Sequence, residues 1–211
     1  MKNLLIIGAS LWGREVYDIA KACVETGADM EIKGFLDSRT EVLNGFNNYP
    51  PILSSVENYN IQQDDVFICA LSDVKYKKHY SKIVEEKGGE FISLIHPTAI
   101  IGTNAVIGKG CVLGAFSNVS CDTKLGNHVT ISIRAGMGHD SIIGDYTHIG
   151  GNCSISGLVT IGESVTMHPG CVVVPHRKIG DNAIIGTGSV VLSNVKAGAT
   201  VFGNPAKKIE F

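Results

Sequence analysis

The sequence predicts two domains, a small parallel α/β domain followed by a β-helix of stacked short strands. Two observations predict the β-helix. Between residues 101 and 196, an aliphatic residue opens each of sixteen consecutive hexapeptides, and the fifth position of each is small except at Arg177. A third observation predicts the α/β domain, because short apolar runs alternate with stretches of helical spacing over residues 1–95.

The hexapeptide period indicates a strand that turns a corner and stacks on its own copies. A period of six matches neither an α-helix, whose apolar face recurs near 3.6 residues, nor an alternating strand. The opening side chains are expected to fill the interior, and small fifth-position residues suit tight corners. Glycine takes the second position in ten repeats, where we expect it to turn the backbone with positive φ. The opening residues are Ile101, Ile107, Leu113, Val119, Leu125, Ile131, Met137, Ile143, Ile149, Ile155, Ile161, Met167, Val173, Ile179, Ile185 and Val191.

The first 95 residues read as strands alternating with helices, which implies a parallel sheet covered by helices. The His96-Pro97 step cuts the last strand off from the first coil, since proline disfavours continuation of the preceding element. We therefore predict domains at 1–95 and 96–200, with a C-terminal tail at 201–211. The predicted strands are 4–7, 32–36, 66–71 and 91–95, and the predicted helices are 14–24 and 73–87.

A glycine-containing loop follows the first predicted strand. Gly8-x-Ser10-x-x-Gly13 is half of a dinucleotide fingerprint, which presents backbone N–H groups and a helix N-terminus to phosphate. Asp37 closes the second strand, 29 residues after Gly8, where a carboxylate can reach a ribose hydroxyl. The alternative is a turn that only lets helix and strand pack. A redox NAD site is disfavoured, because there is room for one mononucleotide-binding half.

Composition narrows the class of protein. The 211 residues carry a net charge of −2 and no basic run of five or more residues, which argues against nucleic acid or an anionic membrane as the partner. We find no signal peptide and no apolar stretch of membrane-spanning length. The six cysteines lack C-x-x-C spacing, and three occupy small fifth positions: Cys111, Cys153 and Cys171. These features predict a cytoplasmic protein with reduced thiols and no bound metal.

Together, the motifs resemble a bacterial sugar acyltransferase family that joins a Rossmann-like N-terminal domain to a left-handed β-helix of hexapeptide repeats. That family includes sialic acid O-acetyltransferases and nucleotide-sugar N-acetyltransferases. The similarity covers essentially the whole chain. The residues that carry it are Gly8-Ala9-Ser10, Gly34-Phe35-Leu36-Asp37, Leu94-Ile95-His96-Pro97, Gly138-His139-Asp140, Ile143-Gly144-Asp145, His148, and Gly203-Asn204-Pro205-Ala206-Lys207.

The resemblance implies three strands per coil, a nucleotide sugar on the N-terminal domain, acetyl-CoA on the β-helix, and a homotrimer with active sites between subunits. It places the acceptor against Ser10, Leu11, Trp12, Asp37 and Ser38. It places acetyl-CoA against His148, Gly157, Pro169 and Thr187.

This chain departs from the family pattern at two places. Leu11-Trp12 stands where the family usually has Gly-His. Either Trp12 stacks on a base or a sugar instead, or the acceptor is not the usual one of the family. Arg177 stands where a small residue is expected, and an unpaired guanidinium cannot sit inside an apolar corner. We expect Arg177 to point outward. The basic run His176-Arg177-Lys178 then has two readings, a contact to a CoA phosphate or a solvated edge.

Acetyl transfer from a thioester requires a base at neutral pH, for which histidine is suited. His139 is followed by Asp140, a carboxylate that can fix the tautomer of the imidazole. His148 is the candidate donor to the thioester oxygen, as the resemblance suggests. Gly157 lies one 18-residue coil beyond His139, and its missing side chain leaves room for the thioester.

The sequence thus predicts an acetyl-CoA-dependent acetyltransferase that N-acetylates a nucleotide-linked amino sugar for surface polysaccharide or glycan synthesis. O-acetylation of sialic acid or a related sugar is the alternative. Two remote readings remain. A β-helix zinc enzyme of the carbonic anhydrase type is disfavoured because the chain contains no His-x-x-x-x-His. A non-catalytic binding protein is disfavoured by the intact Gly138-His139-Asp140.

Overall fold

The computed structural model describes residues 1–209. The chain divides into two compact units, and the boundary falls between Pro97 and Thr98. Within the described residues, no helix combines the length and the apolar character that crossing a membrane requires.

A five-stranded parallel sheet with two helices forms the first unit. Its strands are β1 (Lys2–Ile7), β2 (Met30–Leu36), β3 (Ile52–Ser54), β4 (Asp65–Cys69) and β5 (Glu90–Phe91), and its helices are α1 (Leu11–Glu25) and α2 (Val74–Glu86). The strand order is β3-β2-β1-β4-β5. The chain leaves β1 toward β2 on one side and returns to β4 on the other. The carboxyl ends of β1 and β4 therefore flank a topological switch point, where α/β sheets bind ligands.

The first unit follows its sequence pattern closely. Residues Leu4 to Ile7 of β1 are at most 1% exposed. The α1 helix buries Val16, Ile19 and Cys23, which recur at helical spacing. The α2 helix begins where the Asp73 carboxylate accepts hydrogen bonds from the backbone N–H groups of residues 75 and 76.

Strand boundaries in the first unit differ from the prediction at each strand. The strands predicted at 4–7 and 32–36 each begin two residues earlier, at Lys2 and Met30. The strand predicted at 66–71 is Asp65–Cys69, and Ile52–Ser54 was not predicted, because three residues after two prolines give no alternation. The strand predicted at 91–95 is split into β5 and β6 (Leu94–Ile95). Only β5 belongs to the five-stranded sheet.

The second unit is a parallel β-solenoid. Sixteen two-residue strands each end on the aliphatic residue that opens a hexapeptide. These strands are β7 (Ile100–Ile101), β8 (Val106–Ile107), β9 (Val112–Leu113), β10 (Asn118–Val119), β11 (Lys124–Leu125), β12 (Thr130–Ile131), β13 (Gly136–Met137), β14 (Ile142–Ile143), β15 (His148–Ile149), β16 (Ser154–Ile155), β17 (Thr160–Ile161), β18 (Thr166–Met167), β19 (Val172–Val173), β20 (Lys178–Ile179), β21 (Ile184–Ile185) and β22 (Val190–Val191). Two further strands are β23 (Thr200–Phe202) and β24 (Lys207–Lys208).

The strands stack into three faces. The first face contains β7, β10, β13, β16, β19 and β22, the second contains β8, β11, β14, β17 and β20, and the third contains β9, β12, β15, β18, β21, β23 and β24. Paired residues are 18 apart, as in the pairing of His148 with Thr130 and Thr166. One coil is therefore three hexapeptides, as expected. The sequence suggested a tail at 201–211. Residues 201–208 of this segment extend the third face through β23 and β24, and residues 210 and 211 lie outside the described residues.

The interior of the solenoid is filled by the residues that open the hexapeptides. Those from Leu113 onward are buried, whereas Ile101 and Ile107 are not, because they lie on β7 and β8, the strands at the ends of the first and second faces. Arg177 is half-buried, and its Nε donates to the carbonyl oxygen of Pro175 at 3.0 Å. Its guanidinium thus has a polar partner at the corner.

The expected positive φ at second-position glycines is wrong. Positive φ occurs instead at the fourth position, for example +57° at Asp122 and +56° at Asp140. Asparagine and aspartate tolerate this conformation better than most residues. Second-position glycines are needed for a different reason: a Cβ on Gly138 would collide with the backbone of Gly157 in the next coil.

Candidate active site

His139 and Asp140 lie at the corner between the first and second faces, in the loop between β13 and β14. Hydrogen bonds to the neighbouring coils hold this corner. The Asp140 N–H donates to the carbonyl oxygen of Cys121 at 3.2 Å, and the Leu158 N–H donates to that of His139 at 2.9 Å. The stacked backbone therefore fixes where the two side chains start.

The imidazole of His139 has one engaged and one open nitrogen. Its Nδ1 is 2.8 Å from Oδ2 of Asp140, and the two side chains are 55% and 53% exposed. When Asp140 is ionised, its Oδ2 accepts a hydrogen bond from Nδ1–H, and the lone pair of the neutral ring then lies on Nε2. A Cβ placed on Gly157 would lie 2.5 Å from that Nε2. Only glycine at 157 leaves the base open.

His148 occupies a different part of the solenoid. It begins β15 on the third face and is half-buried. The corner that carries His139 lies opposite that face in a three-sided coil. A side of six extended residues is on the order of 15 to 20 Å long, and the two histidines are separated by half a coil. A single chain therefore does not bring His139 and His148 together.

The other residues predicted to bind the cofactor are divided between two corners. Gly157 lies directly over His139. Pro169 and Thr187 are exposed at the corner between the third and first faces. That corner is built by a backbone ladder in which Gly170 N–H donates to Gly151 O and Gly188 N–H donates to Pro169 O, both at 2.9 Å.

A cleft of about 450 Å³ opens in the first unit at the carboxyl ends of β1, β2 and β4. Its volume is in the range typical of small-molecule sites. Asp37 and Ser38 line it, as predicted residues of the acceptor site. The cleft is lined further by Ile7, Gly8, Leu36, Arg39, Val56, Leu71, Ser72, Asp73, Tyr76 and Tyr80.

Asp37 is buried at the floor of this cleft, with 8% of the residue exposed. Burial by itself raises the pKa of its carboxyl group. Hydrogen bonds from the Arg39 side chain and from the backbone N–H groups of Ala9 and Arg39 outweigh burial and hold the pKa below its ordinary value. Asp37 is therefore ionised at neutral pH and joins the 8–13 loop to the end of β2.

The remaining predicted acceptor residues lie in the first turn of α1 or just before it. Ser10 is the N-cap, and its hydroxyl accepts a hydrogen bond from Nη2 of Arg39 at 3.2 Å. Leu11 has a φ of +25° and is 76% exposed. Trp12 is half-buried and is not among the residues that line the described cleft.

Arg39, Tyr76 and Tyr80 are among the cleft residues that the sequence analysis did not assign to the site. The two tyrosines are four apart on α2 and share a helix face, a spacing that was available in the sequence. Arg39 stands two residues after Asp37, but nothing in the sequence indicates that its side chain folds back onto that carboxylate.

The described residues offer no group of three His, Cys, Asp or Glu side chains that could hold a metal ion. The six cysteines are unbridged.

Comparison with known proteins places the chain in a family. Residues 3–84 match the PglD N-terminal domain, and residues 122–157 and 159–193 match the bacterial transferase hexapeptide repeats. GDP-perosamine N-acetyltransferase of Escherichia coli O157:H7 is 30% identical over 97% of this chain and 95% of its own length. The chain belongs to this family of hexapeptide-repeat sugar acetyltransferases. The resemblance drawn from the motifs is thus confirmed.

Solved structures of the family share the fold throughout. The acetyltransferase domain of PglB from Neisseria gonorrhoeae, solved with acetyl coenzyme A, has a TM-score of 0.88 and 27% identity, covering 99% of each chain. PerB from Caulobacter crescentus, solved with CoA and GDP-perosamine, has a TM-score of 0.88 and 23% identity, covering 100% of this chain and 98% of its own. The predicted fold class, an α/β domain followed by a hexapeptide-repeat solenoid, is confirmed.

Proposed function

We propose that this chain transfers the acetyl group of acetyl-CoA to the amine of a nucleotide-linked amino sugar. The observation that carries the proposal is the His139–Asp140 pair at 2.8 Å, with Nε2 next to the space that a side chain at Gly157 would fill. The full-length similarity to a GDP-perosamine N-acetyltransferase supports the acceptor class.

In the proposed reaction, His139 acts as the general base. Nε2 takes a proton from the sugar amine as its nitrogen attacks the thioester carbonyl, and a C–N bond forms. The C–S bond then breaks, and the proton on His139 passes to the departing thiolate of CoA. Asp140 orients the imidazole and stabilises its charged form while it holds that proton.

The charge that develops on the thioester oxygen needs a donor. We assign this role to His148 of the partner subunit, because His148 lies on the face opposite the His139 corner of its own chain. A homotrimer of solenoids packed side by side provides three equivalent sites of this kind. Acetyl-CoA then runs between two subunits, against Gly157 on one and against Pro169 and Thr187 on the other.

The cleft of the first unit is the proposed nucleotide site. Apolar and aromatic side chains such as Val56, Leu71 and Tyr76 suit a base and ribose, and the 8–13 loop suits phosphate. In this proposal, Ser10, Leu11, Trp12, Asp37 and Ser38 bind or position the acceptor. Trp12 reaches the bound sugar rather than the base.

The basic run His176-Arg177-Lys178 lies two coils beyond His139 at the same corner, and His176 and Lys178 are exposed. Stacked strands are about 4.8 Å apart, so the run is on the order of 10 Å from the base. This distance is within the length of a bent pantetheine arm. We assign the run to the CoA phosphates.

We place the reaction in the cytoplasm, where acetyl-CoA and sugar nucleotides are both available to an enzyme with unbridged cysteines. A role in surface polysaccharide or glycan synthesis follows from the acceptor class.

Release of free thiol from acetyl-CoA tests the proposed function. A panel of nucleotide-linked amino sugars is compared with the matching free amino sugars and with sialic acid. We expect thiol release with at least one nucleotide-linked amino sugar, and loss of about 10² to 10⁴-fold in turnover for His139→Ala. Release with sialic acid and none of the amino sugars would establish O-acetylation instead.

A further inference from the structure

The Asp37 carboxylate already uses its full capacity for hydrogen bonds within the protein. Its Oδ1 accepts from the backbone N and from Nε of Arg39, both at 3.0 Å. Its Oδ2 accepts from the backbone N of Ala9 at 3.0 Å and from Nη2 of Arg39 at 2.9 Å. A carboxylate has about four lone-pair sites. A ribose hydroxyl would have to displace one of these donors, so the geometry does not favour a direct contact.

The Arg39 guanidinium, in contrast, has more N–H donors than it uses within the protein. A guanidinium group carries about five N–H bonds. Nε donates to Asp37, and Nη2 donates to Asp37 and to the Ser10 hydroxyl. Within residues 1–209, Nη1 donates to no protein atom. The side chain is 58% exposed and lines the cleft. The three N–H groups on Nε and Nη2 hold the guanidinium in place, and the two on Nη1 are available to a ligand.

The position of Arg39 indicates which part of a nucleotide it meets. Through Ser10, the guanidinium is joined to the loop that begins α1. The inner wall of the cleft, with Val56, Leu71 and Tyr80, suits a base rather than an anion. A planar guanidinium matches the oxygens of a phosphate group in geometry and charge.

We propose that Arg39 binds the diphosphate of the acceptor, and that Asp37 is a positioning residue that acts through Arg39 and Ala9. This inference rests on the proposed function, because it requires a nucleotide-linked acceptor in the cleft. The sequence suggested that Asp37 contacts a ribose hydroxyl of the nucleotide. The proposal replaces that contact with one between Arg39 and the phosphates.

Calorimetric titration separates the two roles. GDP and UDP, together with guanosine and uridine, are titrated into the wild type, Arg39→Ala, Asp37→Asn and the double variant. We expect Arg39→Ala to weaken diphosphate binding about 10- to 100-fold and to leave nucleoside binding within about twofold. Asp37→Asn weakens only diphosphate binding, and the double variant binds no more weakly than Arg39→Ala. Arg39→Lys keeps the charge, loses the fork, and should restore part of the affinity.

Steady-state kinetics provide a second measurement, because a purely structural role of Arg39 would not change the KM of one substrate alone. For Arg39→Ala, the KM for the nucleotide-linked sugar rises while the KM for acetyl-CoA stays unchanged. Circular dichroism and thermal midpoints confirm that the Asp37→Asn protein is folded. Because the Arg39 side chain is largely exposed, the Arg39 variants remain informative even if Asp37→Asn is not folded.

Three outcomes would overturn the inference. One is diphosphate binding by Arg39→Ala at wild-type strength. Another is loss of nucleoside binding in Asp37→Asn, with additive effects in the double variant, which would place Asp37 on the ribose. The third is a wild type that binds neither diphosphate. That result would also remove the nucleotide from the proposed acceptor, and thiol release with free amino sugars would show whether acetyl transfer itself still stands.

Discussion

At the scale of single residues, the chemistry of His139 depends on two neighbours. Asp140 engages Nδ1 at 2.8 Å, and Gly157 leaves the space beside Nε2 open. Both neighbours come from the regular geometry of the repeat, one from the next position in the chain and one from the next coil. The rest of the solenoid repeats this backbone without the histidine.

The role of Asp140 can be tested against a matched aspartate. Asp122 occupies the equivalent position one coil earlier, with nearly the same φ, and accepts a hydrogen bond from Asn104 at 3.0 Å. We expect Asp140→Asn to lower kcat about 10- to 10³-fold, because the carboxylate that selects the tautomer is lost. Asp122→Asn should leave kcat unchanged. Equal effects of the two substitutions on kcat would show that Asp140 stabilises the corner of the coil and has no specific role in catalysis.

The open space at Gly157 gives a second prediction. In Gly157→Ala, the new Cβ would lie 2.5 Å from Nε2 of His139, and the imidazole must rotate away. We expect kcat to fall about 10- to 100-fold through misplacement of the base, with little change in thermal stability because an exposed ring can move. Gly136→Ala, whose Cβ would meet nothing within 4 Å, is the control. Wild-type turnover in Gly157→Ala would refute the assigned position of the base.

The candidate site was predictable to the extent that its residues are neighbours in the chain or in the repeat. His139 and Asp140 are adjacent, and the period places Gly157 over His139. The role of Arg39 was not predictable, because it depends on one long side chain choosing Asp37 and Ser10 as partners. Trp12 is a similar case, since the sequence indicates neither its burial nor its distance from the cleft.

At the scale of elements, a partly buried ion pair joins β2 to the start of β4. Lys33 Nζ donates to Asp65 Oδ1 at 2.7 Å, and Tyr59 Oη donates to Asp65 Oδ2 at 2.9 Å. Burial by itself raises the pKa of Asp65, but the hydrogen bonds from Lys33, the Gln62 backbone and Tyr59 hold it below the ordinary value. The Asp65 carboxylate is thus more favourable in the folded state than in the unfolded chain.

The sign of the resulting pH dependence follows directly. A carboxyl group whose pKa is lowered by folding stabilises the protein above its unfolded pKa, near 4, and this contribution is lost as the pH falls through the folded pKa. We expect Asp65→Asn to lower the free energy of unfolding of the first unit by about 1 to 3 kcal/mol at pH 7 and by less near pH 3. Urea denaturation at both pH values measures this difference. The exposed neighbour variant Asp64→Asn should change neither value, and an Asp65→Asn deficit that is the same at both pH values would contradict the account.

The elements themselves were predictable where the pattern is long. The sixteen hexapeptides fix every strand from β7 to β22, because each strand ends on its aliphatic residue. The β3 strand escaped prediction because three residues cannot show a period. The positive φ at the fourth position could have been predicted from Asn104, Asp122, Asn152 and Asn182, because asparagine and aspartate tolerate this conformation. The prediction was placed instead on the glycines of the second position, which are more frequent.

At the scale of the whole molecule, the proposed chemistry needs more than one chain. His139 is at the corner between the first and second faces, and His148 is on the third face. Catalytic groups must approach their substrate to about 3 Å, which two sides of one solenoid cannot do for a single thioester. The account therefore depends on a site shared between subunits of a homotrimer.

Complementation between two inactive variants tests the shared site most directly. Inactive His139→Ala and His148→Ala proteins are mixed in equal amounts under subunit exchange, which mass spectrometry verifies. Each shared site draws its two histidines from different chains, so random mixing should return about a quarter of wild-type sites, and the activity should rise to that level. Exchange without any return of activity would contradict the account, because both histidines would then have to act within one chain.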